Sequence, residues 1–141
     1  MALWLFSLIP IHSQGQDIAT VIEKFKNYNK HQNGFIIAAH RGFWQYAAEN
    51  SKAAYDETVR IGADFVEIDV RLTSDRVPVV FHDGCLNRIT DKNGKITSYT
   101  WNELKGTKLK NYLGKTTNQE LLSLEEALQH LRGKALINLD I

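Results

Sequence analysis

Cysteine is almost absent from this chain. Cys85 is the only one in 141 residues, which excludes an internal disulfide and leaves no thiol near the N-terminus to carry a lipid. Its neighbours Gly84 and Leu86 supply neither a base nor a second soft ligand, which argues against thiolate-metal or cysteine-nucleophile chemistry. An excess of one charge is lacking too: 17 Lys and Arg face 16 Asp and Glu, a net charge of +1 with no basic block. That balance argues against a nucleic-acid surface. The apolar run over residues 1–11 is far too short to cross a bilayer, so no stable membrane anchor is expected. No repeat, low-complexity tract or linker divides the chain, and 43% hydrophobic residues suffice for one core.

Ser13 and Gly15 follow the first apolar run at the spacing of small residues before a signal-peptidase cut. Residues 1–15 are therefore expected to be a secretory signal without its basic n-region, and the protein to be secreted or periplasmic. Residues 16–141 form the folded part.

Ile18, Val21, Ile22 and Phe25 lie at helical spacing and predict a leading helix over 17–30, a cap on the core. Asn33-Gly34 breaks it. Residues 35–39 are a compact apolar run, expected as a strand buried on both faces. Asn50 or Ser51 can cap a helix from Lys52 to about Ile61, which Gly62 ends. Strands are predicted over 64–72 and 77–81, joined by a turn at 74–76. Thr100 with Glu103, and Ser123 with Glu126, match the capping box and open two further helices. Residues 135–141 read as a last strand. Strand, helix, strand, strand, helix, strand with doubly buried strands predicts an α/β parallel sheet.

Glu67 and Asp69 stand two apart in the strand over 64–72, so both carboxylates share one face. Taken alone, Glu-x-Asp is ordinarily a salt bridge and an exposed strand end. Here other ionisable residues stand at strand ends as well: His40-Arg41, His82-Asp83 and Asp140. Parallel α/β folds gather ligands at the carboxyl ends of their strands, which raises the pattern to a site. Glu67, Asp69 and Asp140 make an oxygen-rich seat for Mg²⁺ or Ca²⁺. His40 and His82 suit general acid and base work, and Arg41 suits a phosphate oxygen pair. Together these point to phosphoryl transfer or phosphodiester cleavage. His12, His31 and His130 carry no assigned role.

The ordered set His40-Arg41-Gly42, Glu49-Asn50-Ser51, the stretch 62–70, Thr73 and Asp75, the stretch 78–83, and Leu86-Asn87-Arg88-Ile89-Thr90 resembles the glycerophosphodiester phosphodiesterase family. The segment 122–128 is similar to that family's approach to its fourth strand. The resemblance runs from about residue 35 to 141. It implies a TIM-type (β/α) barrel, of which residues 16–141 supply about the first half, since a whole barrel needs about 250 residues. It implies metal-dependent hydrolysis of a small-molecule glycerophosphodiester to sn-glycerol 3-phosphate and an alcohol. By position it makes His40 and His82 the acid–base pair and Arg41 the phosphate contact. Glu67, Asp69 and Asp140 become the ligands of a divalent cation, with Glu49 and Asn50 in support. It also implies attack by the neighbouring glycerol hydroxyl through a cyclic phosphate.

This sequence departs from the family pattern at Ala48, where Pro is usual, and at Asp140, where Glu is usual. Two alternatives stand beside the hydrolase. One is a catalytically impaired protein of the same fold that binds metal and phosphate, motivated by Asp140. The other is a related two-histidine barrel phospholipase.

Overall fold

The computed structural model describes residues 17–30 and 35–141; the signal expected over 1–15 lies outside them. In chain order the elements are α1 (Ile18–Lys26), β1 (Ala38–Ala39), α2 (Lys52–Arg60), β2 (Phe65–Leu72), β3 (Pro78–Val80), α3 (Trp101–Leu104), β4 (Lys108–Lys110), β5 (Thr116–Glu120), α4 (Leu124–Leu131) and β6 (Leu136–Asp140). Among the described residues no helix is long and apolar enough to cross a membrane.

β2 is the centre of the sheet. β1 runs parallel to it, with Ala38 opposite Phe65 and Ala39 opposite Val66. β6 also runs parallel, in register from Phe65 with Leu136 to Asp69 with Asp140. β3 instead returns antiparallel, Val80 opposite Val70 and Pro78 opposite Leu72. The expectation of a wholly parallel sheet is therefore corrected. A parallel return needs a crossover of about a dozen residues or more, and here the chain turns back at once. The Thr73 amide donates to the Val77 carbonyl at 3.1 Å, and Arg76 turns through a left-handed φ of 61°.

β2 alternates in use as well as in direction. Val66, Ile68 and Val70 pack with Tyr55 of α2 and Ala127 and Leu131 of α4. Each such buried aliphatic side chain contributes about 1.5–3 kcal/mol of transfer free energy. The odd-numbered residues Glu67, Asp69 and Arg71 point the other way. A second core lies beneath the loops, where Val79, Phe81, Leu86, Ile96, Leu104 and Leu109 meet. Neighbours Val79 and Val80 enter different cores, as a strand requires.

Two strands are less buried than their apolar sequences predict. Phe35 is 81% exposed and Ile37 55%, and only Ala38–Ala39 form β1. In β6 the residues Asn138, Leu139 and Asp140 are exposed. Among the described residues both strands pair with β2 alone, so each has one open edge. The hairpin of β4 and β5 was not expected at all; only Leu109 of β4 is buried, and β5 has no aliphatic residue.

The caps place the helices. Ser51, not Asn50, caps α2, its Oγ accepting from the Ala54 amide at 3.3 Å. Ser123 and Glu126 complete the capping box of α4, the Ser123 amide donating to Glu126 at 2.9 Å. α1 caps the sheet as expected: Val21 is buried, and Lys24 donates to both oxygens of buried Asp64 at 2.7 and 2.8 Å.

Candidate active site

Parallel register decides where the third carboxylate goes. Glu67 and Asp69 share the face of β2 opposite its apolar residues, and Asp140 pairs with Asp69 across the parallel ladder. Residues opposite one another in a ladder project to the same side. One oxygen from each of Glu67, Asp69 and Asp140 therefore falls within 4.8 Å of the other two. Glu67 and Asp69 are buried, while Asp140 is exposed.

Three carboxylates this close repel, and burying each ion costs several kcal/mol. Local compensation is incomplete. Asp69 accepts from Asn50 Nδ2 at 2.7 Å and lies 3.4 Å from Arg41 Nε. Arg41 Nε is buried yet finds no acceptor in hydrogen-bonding geometry, so that contact is an ion pair only. Glu67 accepts the backbone N–H of Arg41 at 2.8 Å. A single guanidinium, shared with Glu49 at 3.1 Å, does not balance the set. An all-oxygen cluster of this charge fits a hard divalent cation such as Mg²⁺ or Ca²⁺.

The turn after β1 builds the opposite wall. Arg41 and Asn50 both adopt left-handed φ values, 57° and 54°, and the Asn50 amide donates to the Arg41 carbonyl at 2.9 Å. Gly42 between them has φ 74°, and a Cβ there would stand 2.9 Å from the Tyr55 ring. Only glycine lets this loop lie so close to α2. Tyr55, fully buried, donates from its hydroxyl to Asn50 Oδ1 at 3.2 Å. Burial first, then the charges of Asp69 and Glu67, push the phenol well above its ordinary range. It stays protonated and fixes which end of Asn50 faces Asp69.

His82 follows β3, anchored where the Phe81 amide donates to the Asp69 carbonyl at 3.1 Å. Arg71 Nε donates to the His82 carbonyl at 2.9 Å. The His82 Nδ1 lies 2.6 Å from Asp83 Oδ1, and Arg88 Nε donates to the other Asp83 oxygen at 2.6 Å. Chiefly through that Arg88 hydrogen bond, opposed by some burial and helped by His82, the Asp83 carboxyl is held down at about 2. The same Arg88 grips both oxygens of buried Glu49, at 2.8 and 2.6 Å. Burial alone raises Glu49, but Arg88 and Arg41 outweigh it and leave the carboxyl below its usual value.

Arg41, Glu49, Asn50, Glu67, Asp69 and Asp140, all expected as site residues, thus lie in one cluster. His82 joins it through Asp83 and Arg88. His40 is exposed and, among the described residues, bonds to none of them. It lines a cleft of about 600 Å³ with Phe43, Trp44 and Tyr112. A cavity of about 680 Å³ beside Val70, Leu72, Cys85 and Ile141 holds none of the expected site residues, and the cleft holds one of them, His40. His130 lies 2.7 Å from Asp56 on the surface. Arg88, Tyr55 and Arg71 carry no role in the sequence reading. Glu49 stands 39 residues from Arg88 and His82 stands 11 from Arg71, whereas Asn50 is only five from Tyr55; the place of Arg88 beside His82-Asp83 hints at its use.

A model of the Glycerophosphoryl diester phosphodiesterase family matches residues 40–141. A glycerophosphodiester phosphodiesterase of Bacillus altitudinis is 37% identical over 108 residues, covering 74% of this chain and 44% of the relative. The crystal structure of a glycerophosphoryl diester phosphodiesterase from Parabacteroides distasonis superimposes with a TM-score of 0.74 at 34% identity, covering 92% of this chain and 45% of that one. A phosphodiesterase from Oleispira antarctica, solved in complex with the product sn-glycerol-3-phosphate, gives 0.64 at 32% identity over 72% of this chain and 42% of that one. The chain spans less than half the length of these relatives. Its mixed α/β sheet is part of a TIM-type barrel.

Proposed function

Since the chain belongs to the glycerophosphoryl diester phosphodiesterase family, we propose that it carries the first part of a site that hydrolyses glycerophosphodiesters to sn-glycerol 3-phosphate and an alcohol with the help of a divalent cation. The observation that carries this reading is the carboxylate cluster of Glu67, Asp69 and Asp140, within 4.8 Å of one another, beside the Arg41 guanidinium and the His82–Asp83 pair. Hard oxygen ligands next to a phosphate-type arginine suit a diester anion.

Glu67, Asp69 and Asp140 would hold the cation, which when bound neutralises charge on the phosphoryl oxygens. Arg41 lies 3.4 Å from Asp69, so a phosphate drawn to that guanidinium also lies against the carboxylate cluster. His40 and His82 divide the proton transfers. One takes the proton of the glycerol hydroxyl beside the phosphate as its oxygen attacks phosphorus. The other protonates the departing alkoxide, so that the alcohol leaves neutral and a cyclic phosphate remains. Water then opens the ring with the two roles exchanged. Each such transfer is worth roughly 10²–10⁴-fold in rate. Asp83, ionised and 2.6 Å from His82 Nδ1, favours the tautomer with a proton on Nδ1 and leaves Nε2 to work.

Full-length protein that includes this chain should release glycerol 3-phosphate from glycerophosphocholine, lose that activity to a chelator, and lose it again on His40→Ala with His82→Ala. Glycerol phosphate binding without any release of product would overturn the hydrolase reading and favour an impaired binding protein. Faster turnover of lysophospholipid than of glycerophosphocholine would favour the phospholipase. The same reading puts the protein in an exported fraction, as residues 1–15 suggest. A protein recovered there with its first residues removed supports this, and an uncut protein in the cytoplasmic fraction overturns it.

A further inference from the structure

The cleft beside His40 differs in kind from the rest of the site. Trp44, from the loop after β1, and Tyr112, from the β4–β5 turn, bring their rings to 6.2 Å with planes inclined at 57°. Phe43 and Gln45 complete the lining with His40, Ala39 and Gly42. None of these residues is a carboxylate, a lysine or an arginine. Trp44 keeps 36% of its surface open and Tyr112 62%, so the rings retain exposed area on a site otherwise built of charges and hydrogen bonds.

We propose that this aromatic corner receives the alcohol half of the diester and selects one bearing a quaternary ammonium, as choline does. The inference rests on the hydrolase reading and deepens it. The glycerol half, dense in hydroxyls, is best matched by the carboxylates and Arg41. The alcohol half extends from the same phosphate toward the cleft that His40 lines. A trimethylammonium group donates no hydrogen bonds and spreads its charge over methyls, so ring faces complement it better than carboxylates do. A primary ammonium or a polyol would instead need acceptors, and Gln45 is the lining's only amide. The two rings come from segments remote in sequence, so the corner exists only in the folded chain.

The test compares kcat/KM for glycerophosphocholine, glycerophosphoethanolamine and the neutral dimethylbutyl isostere of the choline diester. Wild-type protein should prefer the choline diester over both. Trp44→Ala and Tyr112→Ala should each reduce that preference by about 2–30-fold, the range that cation–π contacts supply, chiefly through KM. Trp44→Phe should keep part of it and verifies that the loop still folds. Equal losses for the choline diester and its neutral isostere would overturn the cationic assignment. Equal losses for all three diesters would overturn the subsite itself. Should no diester turn over, the hydrolase reading fails and the subsite is judged by calorimetry with glycerophosphocholine. Affinity weaker in Trp44→Ala than in wild type then supports it, and equal affinity overturns it.

Discussion

Asn50 gives its side-chain amide to Asp69 across 2.7 Å of buried space. The loop that carries Arg41 is thereby tied to the strand that carries the carboxylates. The remaining oxygen of Asn50 is occupied by Tyr55, so the amide has one orientation. Replacing Asn50 with Ala should leave the three carboxylates in place but free Asp69 to rotate. Loss of such an orienting partner typically costs 10–100-fold in metal affinity, and a loss of about that size is expected in cation titration. Tyr55→Phe should cost less, since Asn50 keeps its bond to Asp69.

Asp140 is tested in the same assay. Asp140→Asn keeps the shape and removes the charge, and should weaken cation binding more than it changes the melting temperature, because Asp140 is exposed. Unchanged affinity would take Asp140 out of the cation site.

Arg88 serves two carboxylates at once, Glu49 and Asp83. Arg88→Ala leaves buried Glu49 with Arg41 alone and Asp83 with His82 alone. Losing a hydrogen bond to a charged group costs about 1.5–3 kcal/mol, and the chemical denaturation midpoint should fall accordingly. Arg88→Lys should recover only part, since an ammonium lacks the fork that reaches both partners.

The same pair gives a pH signature. Asp83 ionises at about 2 in the fold against its ordinary 3.8, and Glu49 is also lowered. Between those values the unfolded chain binds more protons, so the stabilisation is complete above the ordinary carboxylate values. It is lost as pH falls toward 2. Wild-type stability should decline across that acid range, and Arg88→Ala should flatten the decline. A curve of the same steepness in both would refute the assignment.

Gly42→Ala should be costly for a loop substitution. Left-handed φ costs a residue with a Cβ about 1–2 kcal/mol, and the new methyl would meet the Tyr55 ring at 2.9 Å and the Ala54 backbone at 3.0 Å. A lowered melting temperature with weaker cation binding is expected, because the strain falls on the Tyr55–Asn50–Asp69 line.

Much of this was legible in the sequence where the controlling interaction is local. Both capping boxes and the end of α2 follow from residues a few positions apart. The face shared by Glu67 and Asp69 follows from strand period alone. The direction of β3 was open to a local argument too, since the turn at 74–76 is too short for a crossover. The β4–β5 hairpin was hidden because it carries almost no apolar signal. Arg88 was hidden because its partner Glu49 stands 39 residues away, and no periodicity reports a long-range ion pair. The apolar sequences of β1 and β6 predicted more burial than these strands show among the described residues, where both pair with β2 alone.

The β2–β3 hairpin also sets an order of assembly. Glu67, Asp69 and His82 lie on one local hairpin, which needs only a short loop to close. Asp140 reaches them through the β2–β6 ladder, a pairing across most of the folded chain. Loop closure over that distance is slow compared with a hairpin. During refolding, hairpin protection should therefore precede cation capture, and a cation held by Asp140 as proposed would reward only the chain that has paired β6 with β2.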